Sequence, residues 1–443
     1  MTNSYIQVPP DSTGKKLHAQ QHVVGANTVQ VQAMHVADPT DPTHLQSVDA
    51  RGQAYIRFAE GSPSLDAFGN LRVGTATVLG AYDYSVDSYA DLFQDATVTG
   101  GSIAWSAPET ALTVNTVNGA MAKRTTNRYH FYQPGVSNLV LQTLALSDSG
   151  RINNVRRWGY YDDANGLFWE LEGTTFSVCR RKAGVDTKVA KVDWNADTMD
   201  GIGVSAMNLD LTKANFYFLD FAWLGVGEVR FGVLGSNGER NIVHVFQNPN
   251  NNIGAYMETA TLPLRWENYN TGVTGGTSEI RTICSAVYAQ SRVDYTFWRF
   301  SDIERSTPVT VTTDTPILSM RVAAGSRVGI YPELINLVVS GGNVKLRIVD
   351  DAVLTGATWA ITGGGVAEGD IAATASSGGE VFYTKYVGTG VTTVDVSDYY
   401  ETNDEGYHRL ADDTDSYTFT LLATKLDGAT VTVGATLGYK ELR

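Results

Sequence analysis

Large apolar side chains in this chain recur with the two-residue period of β-strands rather than with a helical period. The clearest stretch begins with Phe216 to Trp223, an almost continuous run of aromatic and aliphatic residues. Glu228 to Leu234 then alternates small or polar residues with large apolar ones. Ser236-Asn237-Gly238 supplies the turn chemistry of a hairpin, and Asn241 to Phe246 pairs back. The pattern predicts three consecutive β-strands.

The same signals continue on both sides of this stretch. Further strands are predicted at Ala111 to Val117, Arg128 to Gln133, Asn138 to Leu146, Asn154 to Asp162, Leu167 to Glu172, Thr174 to Arg180, Lys188 to Asp193, Tyr256 to Asn268 and Glu279 to Tyr288. Asn165-Gly166 reads as another hairpin turn, and Ser88 to Asp95 as one short helix. Strands at this spacing are typical of a β-sandwich or jelly roll. We therefore predict a central jelly-roll-like or β-sandwich domain over residues 76 to 305.

A second β unit follows. Thr-Pro steps at 307–308 and 315–316 favour extended backbone and mark a boundary. Beyond it the chain is poorer in aromatic residues, and Gly-rich turns separate short strands. Residues 306 to 443 are predicted to form a smaller C-terminal β-sandwich, so the fold class is all-β.

The first 75 residues differ from the rest, because they are polar and have few large apolar side chains. Such a stretch cannot form a core alone. We interpret residues 1 to 75 as an extended N-terminal arm that packs on a neighbour; a loosely attached terminus is the alternative. In the segment Ser64 to Val73, at the end of the arm, we expect Asp66 to accept backbone N–H bonds in a turn and Phe68 and Leu71 to fill an apolar pocket.

Composition narrows the possible functions. The chain has 443 residues, too many for one core, and a formal net charge of −14. Because an acidic chain repels phosphate backbones, nucleic-acid binding is not expected. No apolar run is long enough to span a bilayer, so membrane insertion is not expected either. The first residues lack the basic start and apolar run of a signal peptide, and we expect synthesis as a cytosolic chain.

Side chains that could bind or cleave a sugar lie on both sides of the predicted hairpin at Asn165-Gly166. Asp162, Asp163, Glu170 and Glu172 flank it, and paired carboxylates are what glycoside hydrolysis requires. These carboxylates could instead contact a sugar without catalysis, or simply form the solvated end of a hairpin. We prefer the solvated hairpin end. An aromatic side chain can stack on a sugar ring, so Trp169 and Trp359 are candidate glycan contacts. For most aromatic residues of this region, a place in the core or in a subunit interface is the preferred interpretation.

No recognised nucleophile, phosphate-loop or metalloprotease motif is present. We expect no catalytic, cofactor-binding or metal-binding residues. The acidic stretch at Asp412, Asp413 and Asp415 could hold Ca²⁺, although a solvated loop is preferred. The two cysteines, Cys179 and Cys284, lie among apolar residues and are predicted to be buried free thiols, with a disulfide as the alternative.

Several blocks, which cover roughly residues 35 to 290, resemble a family of virion structural proteins of tailed bacteriophages. Asp66-Ala-Phe-Gly-Asn-Leu-Arg-Val73 is similar to a recurring DAFGRLRV block, with Asn70 where Arg is usual. The strongest match is Asp220-Phe-Ala-Trp-Leu-Gly-Val-Gly-Glu-Val-Arg-Phe-Gly232. Other matching blocks are Tyr132-Gln-Pro-Gly135, Gly159-Tyr-Tyr-Asp162, Asn165-Gly-Leu-Phe168, Leu262-Pro263 and Ile283-Cys284-Ser285.

The resemblance implies a non-enzymatic structural component of the virion: a tail fibre, a collar or neck appendage, or a capsid decoration. It implies a homo-oligomer, with a trimer favoured, that docks on other virion proteins through its arm, at Asp66, Phe68, Leu71 and Arg72. The alternatives are a host-surface glycan-binding adhesin and, less favoured, a glycan depolymerase.

Overall fold

The computed structural model describes residues 3–7, 16–24, 27–32, 75–89, 92–236, 238–291, 298–362, 365–397, 416–428 and 430–442. The N-terminal part contributes an antiparallel sheet by itself. Its strands, in the order β1-β2-β3, are β1 (Asn3–Gln7), β2 (Lys16–Val24) and β3 (Asn27–Gln32). The arm residues Asp66, Phe68, Leu71 and Arg72 lie outside the described residues, as do Asp412, Asp413 and Asp415.

Fifteen strands of the central region form two antiparallel sheets. They are β4 (Thr77–Asp83), β5 (Phe93–Val98), β6 (Gly101–Ser106), β7 (Glu109–Val114), β8 (Met121–Thr126), β9 (Asn138–Leu146), β10 (Asn154–Tyr161), β11 (Gly166–Glu172), β12 (Thr175–Lys182), β13 (Val185–Ala190), β14 (Asn215–Phe221), β15 (Val229–Leu234), β16 (Arg240–Phe246), β17 (Leu264–Asn270) and β18 (Ser278–Ala289). A turn of 3-10 helix lies at Lys191–Asp193.

The seven-stranded sheet has the order β13-β12-β11-β10-β17-β8-β5. The eight-stranded sheet has the order β16-β15-β14-β9-β18-β7-β6, with β4 also paired to β18. Because β10 pairs with β17 and β9 with β18, strands far apart in sequence are neighbours, and the register is set by long-range pairing.

An aromatic core joins these two sheets face to face. The ring of Trp158 lies 5.1 Å from that of Tyr217 on the opposite sheet. Trp169 lies 5.2 Å from Phe231 across the same interface and stacks on Phe176 at 5.5 Å. Each of these rings buries a large apolar area, so the contacts dominate the stability of the sandwich.

Trp169 is therefore not the glycan platform that the sequence suggested. Its side chain is fully buried, and it contacts Phe176, Trp194 and Phe231. A sugar ring cannot stack on an indole that has no exposed face. The prediction went wrong because Trp169 points to the inner face of β11, a direction that is set by pairing with β10 and β12.

The C-terminal region forms a second sandwich. Its strands are β19 (Trp298–Val311), β20 (Thr315–Val322), β21 (Gly329–Ser340), β22 (Val344–Asp350), β23 (Val353–Thr355), β24 (Ala360–Thr362), β25 (Ala367–Asp370), β26 (Ala375–Ser377), β27 (Glu380–Val387), β28 (Gly390–Asp395), β29 (Thr418–Lys425) and β30 (Val431–Leu442). A four-stranded sheet β19-β30-β21-β28 packs on a six-stranded sheet β24-β25-β20-β29-β22-β27, and β23 pairs with β26. Its core is aliphatic, with residues such as Leu337, Ile348 and Leu421.

Polar contacts join the two sandwiches. The Arg327 guanidinium lies over the ring of Tyr129, 4.5 Å from its centroid, and 3.5 Å from the Asp162 carboxylate. The Asn127 amide donates to the hydroxyl of Tyr417. The C-terminal sandwich is thereby fixed next to the hairpin between β10 and β11.

The all-β class, the sandwich architecture and the hairpins at Asn165-Gly166 and between β15 and β16 are confirmed. The helix expected over Ser88 to Asp95 is wrong, because Phe93 opens β5 and pairs with Thr126. Both cysteines are free; Cys179 is buried, whereas Cys284 is only partly buried. The predicted divisions at residues 75 and 305 stay predictions.

Replacement of Trp169 by Ala should lower the free energy of unfolding by about 3–5 kcal/mol, because it leaves a large cavity between the sheets. Urea denaturation measures the change. Trp105→Ala is the matched control, since Trp105 is 40% exposed and its indole N–H donates to the Tyr84 carbonyl at 2.8 Å. Its expected cost is about 1 kcal/mol. Equal costs for the two substitutions would contradict the assignment of Trp169 to the core.

The buried side chain of His130 is expected to make the free energy of unfolding depend on pH. His130 bonds to the Tyr82 hydroxyl and the Leu262 carbonyl, both at 3.0 Å. Burial, with a smaller contribution from the positive charge of Arg128, lowers the pKa of His130 to about 3. The unfolded chain, in which a histidine has a pKa of about 6.5, takes up a proton first as pH falls.

Stability is therefore expected to fall between pH 6.5 and pH 3, with His130 contributing about 2 kcal/mol of the loss between pH 7 and pH 5. Urea denaturation at the two pH values measures the loss. The His130→Asn variant is expected to be less stable at pH 7 and less dependent on pH over this range. An equal dependence in the variant and the parent would rule out His130 as the cause.

Candidate functional site: the charged face of the seven-stranded sheet

The seven-stranded sheet carries two different faces because side chains alternate along each strand. Trp158 on β10 and Trp169 on β11 point into the core, and their neighbours Arg157 and Glu170 point outward. We call the outward surface of β10–β13 and β17 the charged sheet face. It comprises Arg157, Tyr161, Phe168, Glu170, Cys179, Arg181, Asp186, Lys188, Arg265, Glu267 and Tyr269.

Arg157 lies at the centre of this face. In the strand register it is directly opposite Glu170 on β11 and Glu267 on β17. Its Nε donates to Glu170 at 2.6 Å, and its terminal nitrogens lie 3.7 Å from Glu267 and 3.8 Å from Asp186. One guanidinium therefore draws together carboxylates from three strands, although it is hydrogen-bonded at these distances to Glu170 alone.

Further cations complete the charge pairing. The Lys188 ammonium lies 2.5 Å from Glu170 and 2.9 Å from Glu172. The Arg181 guanidinium lies 2.6 Å from Asp186. Since positive and negative groups alternate across the strands, the face is close to neutral despite its many charges. Its carboxylates and cations hold one another in fixed positions.

Aromatic rings lie beneath these charges. Phe168 and Tyr161 are fully buried, 4.6 Å apart, and contact the Cys179 thiol. The Arg181 guanidinium lies 4.9 Å from the centroid of Phe168, within the range of a cation–π contact. Gly159 makes this packing possible, because a Cβ there would come within 2.7 Å of the Phe168 side chain. The charged layer is therefore supported from below by rigid packing.

Burial and charge pairing shift the titration of these groups. Burial lowers the pKa of Arg157, but the charge and hydrogen bond of Glu170, together with Tyr161 and Tyr269, outweigh burial and raise the pKa above its ordinary value. The pKa of Lys188 is raised in the same way, since hydrogen bonds to Glu170 and Glu172 outweigh its burial. Burial also raises the pKa of the Cys179 thiol. At neutral pH the cations stay charged and the thiol stays protonated.

Part of the charged sheet face remains open to solvent. Tyr269 is half-buried beside Arg157, whose guanidinium lies 5.4 Å from the ring centroid. Glu267 and Lys188 are also accessible in part. An aromatic ring beside fixed carboxylates and cations can receive a flat polar ligand, because each polar group already has a defined position.

The hairpin carboxylates have structural partners. Asp162 accepts hydrogen bonds from the backbone N–H groups of Ala164 at 2.8 Å and Asn165 at 2.7 Å, which fixes the turn. Asp163 is paired with Arg265 at 2.5 Å. Together with the ion pairs of Glu170 and Glu172, these contacts give each carboxylate that the sequence singled out a hydrogen-bond or ionic partner.

The remaining predicted glycan contact, Trp359, is distant in sequence and belongs to the C-terminal sandwich. It is half-buried, and the Arg321 guanidinium lies 4.2 Å from a ring centroid of its indole. Arg321 is in turn paired with Glu368 at 2.7 Å. Unlike Trp169, Trp359 keeps some accessible surface for a ligand.

Sequence reasoning missed Arg157, Lys188, Glu267 and Tyr269. In the sequence, Arg156-Arg157 and Arg180-Arg181 are short basic pairs, which are typical of solvated strand ends or salt-bridge partners. The alternation within β10 could have revealed Arg157, because it places Arg157 on the face opposite to Trp158. Glu267, however, is joined to it only by the pairing of β10 with β17.

No cluster of three or more histidine, cysteine or acidic side chains suited to a metal ion occurs in the part of the chain that the structure describes. Over the same residues, no helix has the length and apolar character needed to cross a membrane.

Comparisons with known proteins give fold similarity alone. No family model matches the chain, and no curated protein matches it. One similar structure is a protein of unknown function from Shewanella oneidensis MR-1, which is 11% identical to this chain. The alignment covers 51% of this chain and 92% of that protein, with a TM-score of 0.33. A legume lectin-like domain from Entamoeba histolytica is 8% identical, with coverages of 49% and 99% and a TM-score of 0.32. An endo-acting O-glycanase of the human gut microbiota is 12% identical, with coverages of 48% and 99% and a TM-score of 0.35. These values assign no function to this chain.

Proposed function

We propose that this chain is a non-enzymatic glycan-binding protein and that the charged sheet face of its central sandwich holds the sugar. The observation that carries the proposal is the half-buried ring of Tyr269 beside the fixed Arg157–Glu267 pair. A pyranose presents an apolar C–H face and a rim of hydroxyl groups. A ring and paired charges at one site match both features.

The chemistry of the face suits hydroxyl groups rather than a strongly charged ligand. Glu267 and Asp186 can accept hydrogen bonds from sugar hydroxyls, while the terminal nitrogens of Arg157 can donate them. Because positive and negative groups balance, neither a highly acidic nor a highly basic ligand is attracted across the whole face. A neutral oligosaccharide is the class of ligand that fits.

The ion pairs also support binding without catalysis. A glycosidase needs one carboxyl group that is protonated at working pH and a second that is free to act as base or nucleophile. Glu170 is held between Arg157 at 2.6 Å and Lys188 at 2.5 Å, so its carboxylate oxygens are already engaged by two cations of the protein. Trp359, with its partly accessible indole, is included in the proposal as a secondary contact on the C-terminal sandwich.

Tyr269→Ala is expected to weaken oligosaccharide binding at least about tenfold, the loss that corresponds to about 1.4 kcal/mol for one stacking contact. Glycan-array screening of the parent chain identifies the ligand, and calorimetry measures the affinity. Tyr288→Ala is the matched control, because Tyr288 is also half-buried but belongs to β18 of the other sheet. An equal loss in both variants, or no glycan ligand for the parent, would contradict the proposal.

A structural role in a tailed-phage virion is the second candidate function. The ordered sequence blocks from about residue 35 to residue 290 favour it, above all Asp220 to Gly232. In this proposal the arm of residues 1 to 75 docks on tail, neck or capsid proteins, and the chain is a homo-oligomer. Glycan binding would then serve attachment to the host surface, so the two proposals are compatible but fail separately.

Particles purified on a density gradient are expected to contain this chain, as detected by mass spectrometry. Deletion of residues 1 to 75 is expected to leave the truncated chain folded but in the particle-free fraction, because the docking contacts are lost. Circular dichroism checks the folding of the truncated chain. Absence of the full-length chain from intact particles would exclude the virion role without affecting the glycan proposal.

A further inference from the structure

Among the residues that the structure describes, no strand pairs with the outer side of β28, an edge strand of the C-terminal sandwich. It forms the last strand of the four-stranded sheet and pairs with β21 on one side. The Val396 N–H donates to the Glu333 carbonyl at 2.8 Å, next to the Leu334–Asp395 pair. Since hydrogen-bonded and non-bonded pairs alternate in an antiparallel ladder, the N–H and C=O groups of Val391, Thr393 and Asp395 point to the open edge.

This edge lacks the protection that β-proteins ordinarily give an exposed strand. Gly390–Asp395 contains no proline, lysine or arginine, and its register with β21 is regular. Three other edge strands among the described residues carry such protection. Pro308 interrupts β19, the register of β16 shifts next to Gly232, and β24 has only three residues.

Two apolar side chains on β28 and its partner strand are exposed to solvent. Val391 is 78% exposed, and Val338, its partner on β21, is 53% exposed. Burial of these side chains would add a hydrophobic contribution to the hydrogen bonds of a new strand pair.

We infer that β28 pairs antiparallel with β28 of a second copy of this chain, around a two-fold axis at Thr393. The strand is self-complementary in this register. Thr393 lies opposite Thr393 of the second copy, a favourable cross-strand pair, and Val391 lies opposite Asp395, so no like charges face each other. The four-stranded sheets of the two copies then form one continuous sheet, and each copy offers the same surface to the other.

This arrangement is independent of the glycan proposal and differs from the trimer that the sequence resemblance implies. The Asp395 carboxylate does not oppose it, because that carboxylate accepts hydrogen bonds from the Ser397 N–H at 3.0 Å and its hydroxyl at 2.6 Å. Thr393 itself reaches only to the Asn336 side-chain oxygen, at 2.8 Å, so its replacement leaves the core of the sandwich intact.

Sedimentation equilibrium on the full chain, from about 1 to 100 µM, tests the inference in the range where small interfaces associate. The parent is expected to be a dimer at the upper end. Thr393→Lys and Thr393→Asp each place like charges opposite one another and are expected to weaken dimerisation at least about 100-fold. A mixture of the two variants pairs opposite charges and is expected to restore the dimer.

Thr310→Lys, on the edge strand at the other side of the same sheet, is the matched control and should leave the dimer unchanged. Thr393→Pro removes an outward N–H without breaking the ladder to β21 and should also give monomers. Circular dichroism verifies that each variant is folded. A monomeric parent, an oligomer unaffected at Thr393, or a mixture that stays monomeric would overturn the inference.

Discussion

The constraint on which this molecule depends is the two-residue alternation of the seven-stranded sheet, because both of its faces are largely removed from water. The inner face meets the eight-stranded sheet through Trp158 and Trp169. The outer face carries charges over a layer of buried rings. Charges in such a place are tolerated only when each has a partner, and the placement of Arg157 between Glu170 and Glu267 meets that requirement.

Pairing of this kind has consequences for function. A network whose members hold one another cannot easily supply a free acid or base, but it offers hydrogen-bond donors and acceptors at fixed positions. The proposed glycan site follows from this property, since ordered groups lose little conformational entropy when a ligand binds. A similar charge pairing occurs where the two sandwiches meet. There Arg327 contacts both the Asp162 carboxylate and the Tyr129 ring.

The sequence predicts the β architecture well because strand signals are local. Alternation and turn residues are enough to find β14, β15, β16 and the hairpin at Asn165-Gly166. The face on which a residue lies is harder to predict. Phe168 and Trp169 are adjacent, point to opposite faces, and are nevertheless both fully buried. At this part of β11 neither face is exposed, so the alternation of the strand could not show that Trp169 is inaccessible to a glycan.

Long-range pairing accounts for the other differences. Phe93 joins β5 because Thr126 on β8 pairs with it, which overrides a local helical preference. The partnership of Arg157 with Glu267 depends on the neighbouring placement of β10 and β17, which no local pattern encodes. The open edge of β28 likewise depends on the strand order of its sheet.

A crystal structure of the chain with an oligosaccharide identified by array screening is the sharpest test of the proposed glycan site. We expect a sugar ring against Tyr269, with hydroxyl groups within hydrogen-bond distance of Arg157 and Glu267. An intact oligosaccharide there would agree with binding without hydrolysis. A sugar bound at the loops or on the C-terminal sandwich alone, with the charged sheet face vacant, would show that this face is not the binding site.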